Sequence, residues 1–413
     1  MTDDPSLSRI FRVARRGART ALLVVVTAAG LRAQQVPPSP ASAANAFAGA
    51  PIRTEPRVAW EVKPRYRDSS PFALGNGVLV AGNTSGQGGT FGYDVATGKQ
   101  LWSVPGHIRG GPAVHDGFAY AVNDTKDRYR FALRKLDLRT GKAAWSVAEE
   151  DLGNHDGPPV VVGDVVVVTS RSRAIAAYDL ATGAARWKHE NLQVCSGRLA
   201  AADGLVYFSG GLTGTSDTLT ALNAATGATV WKTLLTAADG KGCGAGAAVA
   251  EGVVVTGLGR DLLGFDATSG ERRWTRTGPP PVAGRRQEMA LGFTAITGGV
   301  VYAASATTIF GTDVATGRPV FEFVMPVPSE LGTIRLVAQG DVLFVVANEQ
   351  LPGERGPSYL HALDVSEKRI LWRHHLARIG PYDKGGSWTT TSVQPAEGSL
   401  FYENEQLLVK LVP

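Results

Sequence analysis

One unit recurs along this chain, and its period constrains the architecture more than any other feature. The segments YDVATGKQLW, LDLRTGKAAW, YDLATGAARW, LNAATGATVW, FDATSGERRW, TDVATGRPVF and LDVSEKRILW follow one another in order. In each, an acidic residue or Asn (Asp94, Asp137, Asp179, Asn223, Asp266, Asp313, Asp364) stands eight residues before an aromatic (Trp102, Trp145, Trp187, Trp231, Trp274, Phe321, Trp372). Trp60, in VAWEV, adds an eighth aromatic, and the spacings from Trp60 onward are 42, 43, 42, 44, 43, 47 and 51. A repeat of that length is one four-stranded propeller blade.

Each residue type in the unit has a mechanical use. The carboxylate caps a turn, Thr adds a hydroxyl, and Gly tolerates positive φ, so D-x-x-T-G closes a tight hairpin. The large aromatic then fills the wedge between neighbouring sheets. In the last copy Glu367-Lys368 replaces Thr-Gly, so that turn is expected to be looser or differently built. Upstream of each unit lies a second hairpin, as in PAVHDGFAYAV, PPVVVGDVVVV and AAVAEGVVVTG, which completes four strands per repeat.

The Trp60 strand has no hairpin before it, and SVQPAEGSLFYENEQLLVKLVP at the other end has no D-x-x-T-G unit after it. The two complement each other. Residues 57–63 are expected to form the outer strand of a composite blade whose inner three strands come from 388–413. Seven whole repeats and this composite one predict an all-β, eight-bladed β-propeller closed by its N-terminal strand, which hides sheet edges that would otherwise associate. The 50 Gly and 23 Pro residues agree with many turns and short strands and argue against a helical bundle.

Residues 1–33 hold six arginines and two aspartates, +4 of the net +5, so the rest of the chain is near neutral. With no basic stripe left, a nucleic-acid partner is not expected. The arginines precede an uncharged run, TALLVVVTAAGL, too short to span a bilayer easily, and then small residues. This is the layout of a secretory signal peptide over 1–33, with cleavage after Ala33 or near Ala46. A twin-arginine signal at Arg15-Arg16 and an uncleaved anchor are the alternatives. No cysteine is present there for lipid attachment. Residues 34–56, rich in Pro, Ala and Ser, read as a linker, and 57–413 as the propeller. The expected setting is exported: periplasmic, extracellular or cell-envelope associated, with no transmembrane span in the mature chain, and as a monomer.

The unit A-x-D-x-x-T-G-x-x-x-W around Asp94–Trp102 and its copies resembles the tryptophan-docking repeat of pyrroloquinoline-quinone-type (PQQ-like) propellers. The resemblance covers nearly the whole mature chain. That superfamily joins calcium-dependent quinoprotein dehydrogenases to non-catalytic, BamB-like envelope propellers, so the repeat speaks to fold and little to function.

The short Asp-Thr-Gly and Asp-Gly turns are expected on one face, which leaves the longer connections, such as 123–131, 277–290, 348–359 and 376–388, on the other. Such loops on a rigid ring are where a partner docks. Aligning the inner strands by their turns places Asp68, Ile108, His155, Cys195, Cys243, Ala290, Gly332 and Thr389 at one level near the axis. His155, Cys195 and Cys243 would then fall on consecutive blades: a Cys195–Cys243 disulfide, two buried thiols, or a soft-metal set with His155.

Carried to this chain, the quinoprotein resemblance requires a calcium shell, a catalytic aspartate, a stacking tryptophan and an adjacent Cys-Cys pair. The last is absent. Trp388 is the one tryptophan outside the docking positions, and Asp68, Asn154, Asp156 and Glu288 are oxygen donors near the mouth, although nothing in the sequence makes them converge. The expectation is therefore a non-catalytic scaffold that binds a protein or cell-envelope ligand on its long-loop face, with no cofactor. The alternative is a diverged PQQ-dependent oxidoreductase of alcohol or sugar dehydrogenase type, with PQQ and calcium.

Overall fold

The computed structural model describes residues 50–63, 71–82, 88–124, 131–149, 157–170, 174–190, 192–194, 198–212, 218–236, 246–279, 295–305, 308–326, 335–351, 354–376, 392–404 and 407–413. They form eight antiparallel sheets and, among the described residues, no helix. Each sheet is one blade, with strands a to d from the innermost outward. Blades 1 to 7 draw their strands from 73–105, 108–149, 160–189, 192–234, 248–277, 295–324 and 335–376. Blade 8 is composite: Ser392–Ala396, Ser399–Glu403 and Leu408–Val412 supply a to c, and Arg57–Val62 supplies d. Trp60 sits opposite Lys410 and Val62 opposite Leu408, so the two ends of the chain close the eight-bladed propeller as the repeat count predicts.

Every D-x-x-T-G unit makes the c–d turn of its blade. In blade 1 the Asp94 carboxylate accepts hydrogen bonds from the Thr97 amide at 2.9 Å and the Thr97 hydroxyl at 2.8 Å, while Gly98 turns through φ 72°. These bonds hold Asp94 below the usual carboxylate range. A one-residue bulge follows in the ladder, between Gly92 and Tyr93 here and at the matching place in the other six. The bulge aims strand d so that its aromatic leans over the next blade.

There the indole N–H donates to the carbonyl of the residue after the next blade's Asp or Asn. Trp102 reaches Leu138 at 2.7 Å, Trp187 Ala224 at 2.7 Å, Trp231 Ala267 at 3.0 Å and Trp274 Val314 at 2.8 Å. Trp60 reaches Val95 at 3.1 Å and Trp145 Leu180 at 3.3 Å. Those two carbonyls are shared with an ammonium, because Lys410 and Lys135 stand opposite the two rings. The ring itself lies flat on the Gly of the next turn. A Cβ on Gly98 would come 2.8 Å from Trp60, and one on Gly141 2.7 Å from Trp102. The glycine therefore answers two demands, positive φ and room for the indole.

The last unit is not looser. Ser366, one place early, supplies the hydroxyl to Asp364 at 2.7 Å, the Glu367 amide adds 2.8 Å, and Lys368 adopts φ 51° where the others have Gly. A side chain fits here because the ring above it is Phe321 and not an indole; the Lys368 ammonium lies 5.7 Å from its centroid. Two departures from the repeat are thus one compensated exchange.

The linker expected over 34–56 ends earlier than its composition implies. Blade 8 has no D-x-x-T-G turn to receive Trp372, and the Ile52 carbonyl takes that place at 2.9 Å. Ile52 itself is buried in the core between blades 7 and 8. Next to it, Arg53 bridges Asp341 and Asp364, the two turns of blade 7. In blade 3 that bridge is made internally, by Arg186 to Asp164 and Asp179. Blade 7 has Leu371 at the matching position and takes its arginine from the N-terminal segment.

One histidine is sealed in this packing. His361 on strand c of blade 7 is 1% exposed, and among the described residues neither ring nitrogen has a hydrogen-bond partner. Burial, helped by Arg373, pushes its pKa down to about 4. A base whose folded pKa lies below its ordinary value of about 6.5 contributes stability that is lost as pH falls from about 6.5 towards 4. Urea titrations at pH 7 and 4.5 should show His361→Leu losing about 2 kcal/mol less than the parent over that interval. Equal losses would place the charge elsewhere. The paired exchange is tested the same way. F321W alone should cost about 1–3 kcal/mol by overpacking against Lys368, and F321W/K368G should recover most of it. Simple additivity of the two changes would refute the compensation.

Candidate functional site

The hairpin geometry makes the two faces of the ring unlike. On one, the amide after each motif Asp or Asn donates to the a–b turn of the same blade: Val95 to Gly77, Leu138 to Gly117, Leu180 to Asp164, Ala224 to Gly204, Ala267 to Gly252, Val314 to Gly299 and Val365 to Asp341, at 2.8–3.0 Å. Its carbonyl takes the indole of the preceding blade wherever that blade has one. Both backbone groups are thus committed, and this short-turn face repeats with little variation.

All the b–c and blade-to-blade connections emerge on the opposite face. Asp68, Asn154, His155, Cys195, Cys243, Glu288 and Trp388 belong to these connections, and all lie outside the described residues. Of the eight positions expected at one level near the axis, Ile108 is described. It is fully buried, and a Cβ on Gly82 would meet its Cγ2 at 2.4 Å, so it packs between blades 1 and 2. Strand pairing also refines the alignment. Ile108 opposes Asn123 and Val194 opposes Gly210, each partner five residues into its strand b, which makes Val194, the residue before Cys195, the equivalent of Ile108.

Two features of this face were not legible as motifs. One is a polar clamp across blades 1 and 2. His107 Nδ1 lies 2.9 Å from Asp124 Oδ2, the Asp124 amide donates to the His107 carbonyl, and Asn123 donates to Thr90 Oγ1 at 2.8 Å and to the Gly106 carbonyl at 3.1 Å. Gly88 lies against the imidazole, where a Cβ would come within 1.8 Å. These contacts tie the connection between blades 1 and 2 to strand b of blade 2 and to strand c of blade 1. The signal in sequence was only a Gly-His connection much shorter than its counterparts.

The other feature is charge. The described residues of the innermost strands and their lead-ins, from 71–75 to 392–396, include His107, Arg109, His115, Arg198 and Arg335 but no Asp or Glu. Arg198 is partly buried, and desolvation holds its pKa below the usual value. A calcium shell needs several carboxylate or amide oxygens. Among the described residues no three of His, Cys, Asp and Glu gather to hold a metal. Asp68, Asn154, Glu288 and Trp388, the residues that would hold a calcium–quinone pair, lie outside the described residues.

Comparison with known proteins agrees with the propeller fold. The solved BamB of Moraxella catarrhalis superposes with a TM-score of 0.59 at 18% identity, covering 87% of this chain and 98% of that one. The quinohemoprotein alcohol dehydrogenase ADHIIG of Pseudomonas putida HK5 gives 0.62 at 13% identity over 89% and 78%. At such identities the likeness is one of fold. In sequence, the outer membrane protein assembly factor BamB of Burkholderia pseudomallei is 30% identical over 267 residues, 60% of this chain and 63% of that protein. The serine/threonine-protein kinase AfsK of Streptomyces griseus is 32% identical over 156 residues, 35% of this chain and 19% of the kinase. The chain thus spans less than two thirds of either relative. The family described as outer membrane protein assembly factor BamB matches residues 53–193 and 171–373, most of the chain, and the protein belongs to that family.

Proposed function

We propose that the protein is an exported, non-catalytic propeller that holds a protein partner of the cell envelope on its long-loop face. The observation that carries this reading is the contrast between the faces. The short-turn face spends its backbone groups on identical closures from blade to blade, while chain length and sequence vary on the other. A rigid ring that presents varied loops from one side is a recognition scaffold. Membership of a family named for an assembly factor supports a protein partner in the envelope. The arginine-rich start and apolar run supply the export route.

The test is site-specific photo-crosslinking of the full chain in cells, with probes on both faces. Probes in 280–294 should give one discrete adduct, reduced about tenfold by R285E/R286E, whereas K99E/R318E on the short-turn face should leave it unchanged. Adducts that respond to the short-turn variant would overturn the assignment of the face. Calcium-dependent dye reduction by protein incubated with pyrroloquinoline quinone, with turnover, would overturn the non-catalytic reading.

A further inference from the structure

The outer d strands are the edges of the blades, each hydrogen-bonded on one side only. Edge strands associate unless charge or proline blunts them. Several of the edges here carry two basic residues or end on a proline. Blade 3 carries Arg186 and Lys188, blade 5 Arg272 and Arg273, blade 7 Arg369 and Arg373, and blade 1 ends its strand on Pro105.

Blades 4 and 6 carry one charge each, Lys232 and Glu322, and blade 6 opens on Pro319, but exposed apolar residues flank each charge. Their d strands, Thr229–Leu234 and Pro319–Val324, share the burial pattern of blades 1 and 5, with Trp231 and Phe321 turned into the core and the alternate residues outward. The outward stripes are Val230, Lys232, Leu234 and Val320, Glu322, Val324. Val230 is 47% exposed, Leu234 51%, Val320 50% and Val324 58%. Among the described residues these are four of the six large exposed hydrophobics, so apolar surface is concentrated on two of the eight rims.

The stripes match each other. Antiparallel pairing of the two strands sets Lys232 opposite Glu322, Val230 opposite Val324 and Leu234 opposite Val320, with the backbone groups of both edges satisfied. Self-pairing is disfavoured, since two copies of the blade 4 strand would oppose Lys232 to Lys232, and two of the blade 6 strand Glu322 to Glu322. Within the molecule Arg276 lies near Glu322, but its guanidinium is bound to the Gly311 carbonyl and Thr312 Oγ1, and Glu322 stays exposed.

In place of the monomer expected from sequence, we propose that this protein self-associates edge to edge, the outer strand of blade 4 of one copy pairing with the outer strand of blade 6 of the next. The contact is heterologous: each copy carries one strand of each kind, so the assembly extends beyond a dimer. It leaves the long-loop face uncovered, and it does not depend on what that face binds.

Sedimentation velocity of the full chain over a concentration series tests it. The weight-average mass should rise with concentration. K232E and E322K should each weaken association about tenfold, because each sets like charges opposite one another. An equimolar mixture of the two variants should restore it, since every contact between unlike copies is again between opposite charges. Both positions are exposed, and thermal melts would verify that each variant is folded. A mass that does not change with concentration overturns the proposal. So does association that ignores either charge reversal, which is how assembly through the apolar leader would behave. Failure of the mixture to recover overturns the Lys232–Glu322 pairing on which it rests.

Discussion

The docked indole is the contact on which the ring depends. A four-stranded blade has two apolar faces and cannot bury both alone. Leaning Trp102 onto the Leu138 carbonyl and the bare Cα of Gly141 joins blade 1 to blade 2 through one side chain that is both apolar bulk and hydrogen-bond donor. Copies of that contact set the angle between blades. The positions that deviate do so in compensated ways. Phe321 gives up the donor and Lys368 takes the space, while Lys135 and Lys410 share the carbonyls that Trp145 and Trp60 also use.

Closure falls where the repeat runs out. The composite blade joins the two ends of the chain by strand pairing, which leaves it without a c–d turn, and so Trp372 would face an incomplete neighbour. Residues 51–53 make up for that absence with a backbone carbonyl from Ile52 and an arginine that blade 7 lacks. The N-terminal segment is therefore fastened on the short-turn side of blade 7, through Asp341 and Asp364.

Function divides along the same geometry. Repetition commits the short-turn face to structure. The long-loop face carries the irregular sequence and is the proposed recognition surface, while the rims of blades 4 and 6 carry exposed apolar stripes of opposite charge. Each surface has a different chemical character because each is built from a different part of the repeat: turns, connections and outer strands.

The spacing from Asp94 to Trp102, repeated at intervals of 42 to 51 residues, determined the blade, the blade count and the composite closure. These are local consequences of turn chemistry and strand period, and so they can be read along the chain. What the sequence left open depends on contacts between distant residues. Ile52 looked like linker because its partner, Trp372, is 320 residues away. Whether the turn at Lys368 is looser or differently built stayed open because the ring that tolerates its side chain belongs to another blade. The near-axis level predicted for Ile108 shifted by one residue at Val194 because strand pairing, and not distance from a turn, sets the register there. Tertiary structure decided these points because it alone brings one blade's side chains against the next blade's backbone.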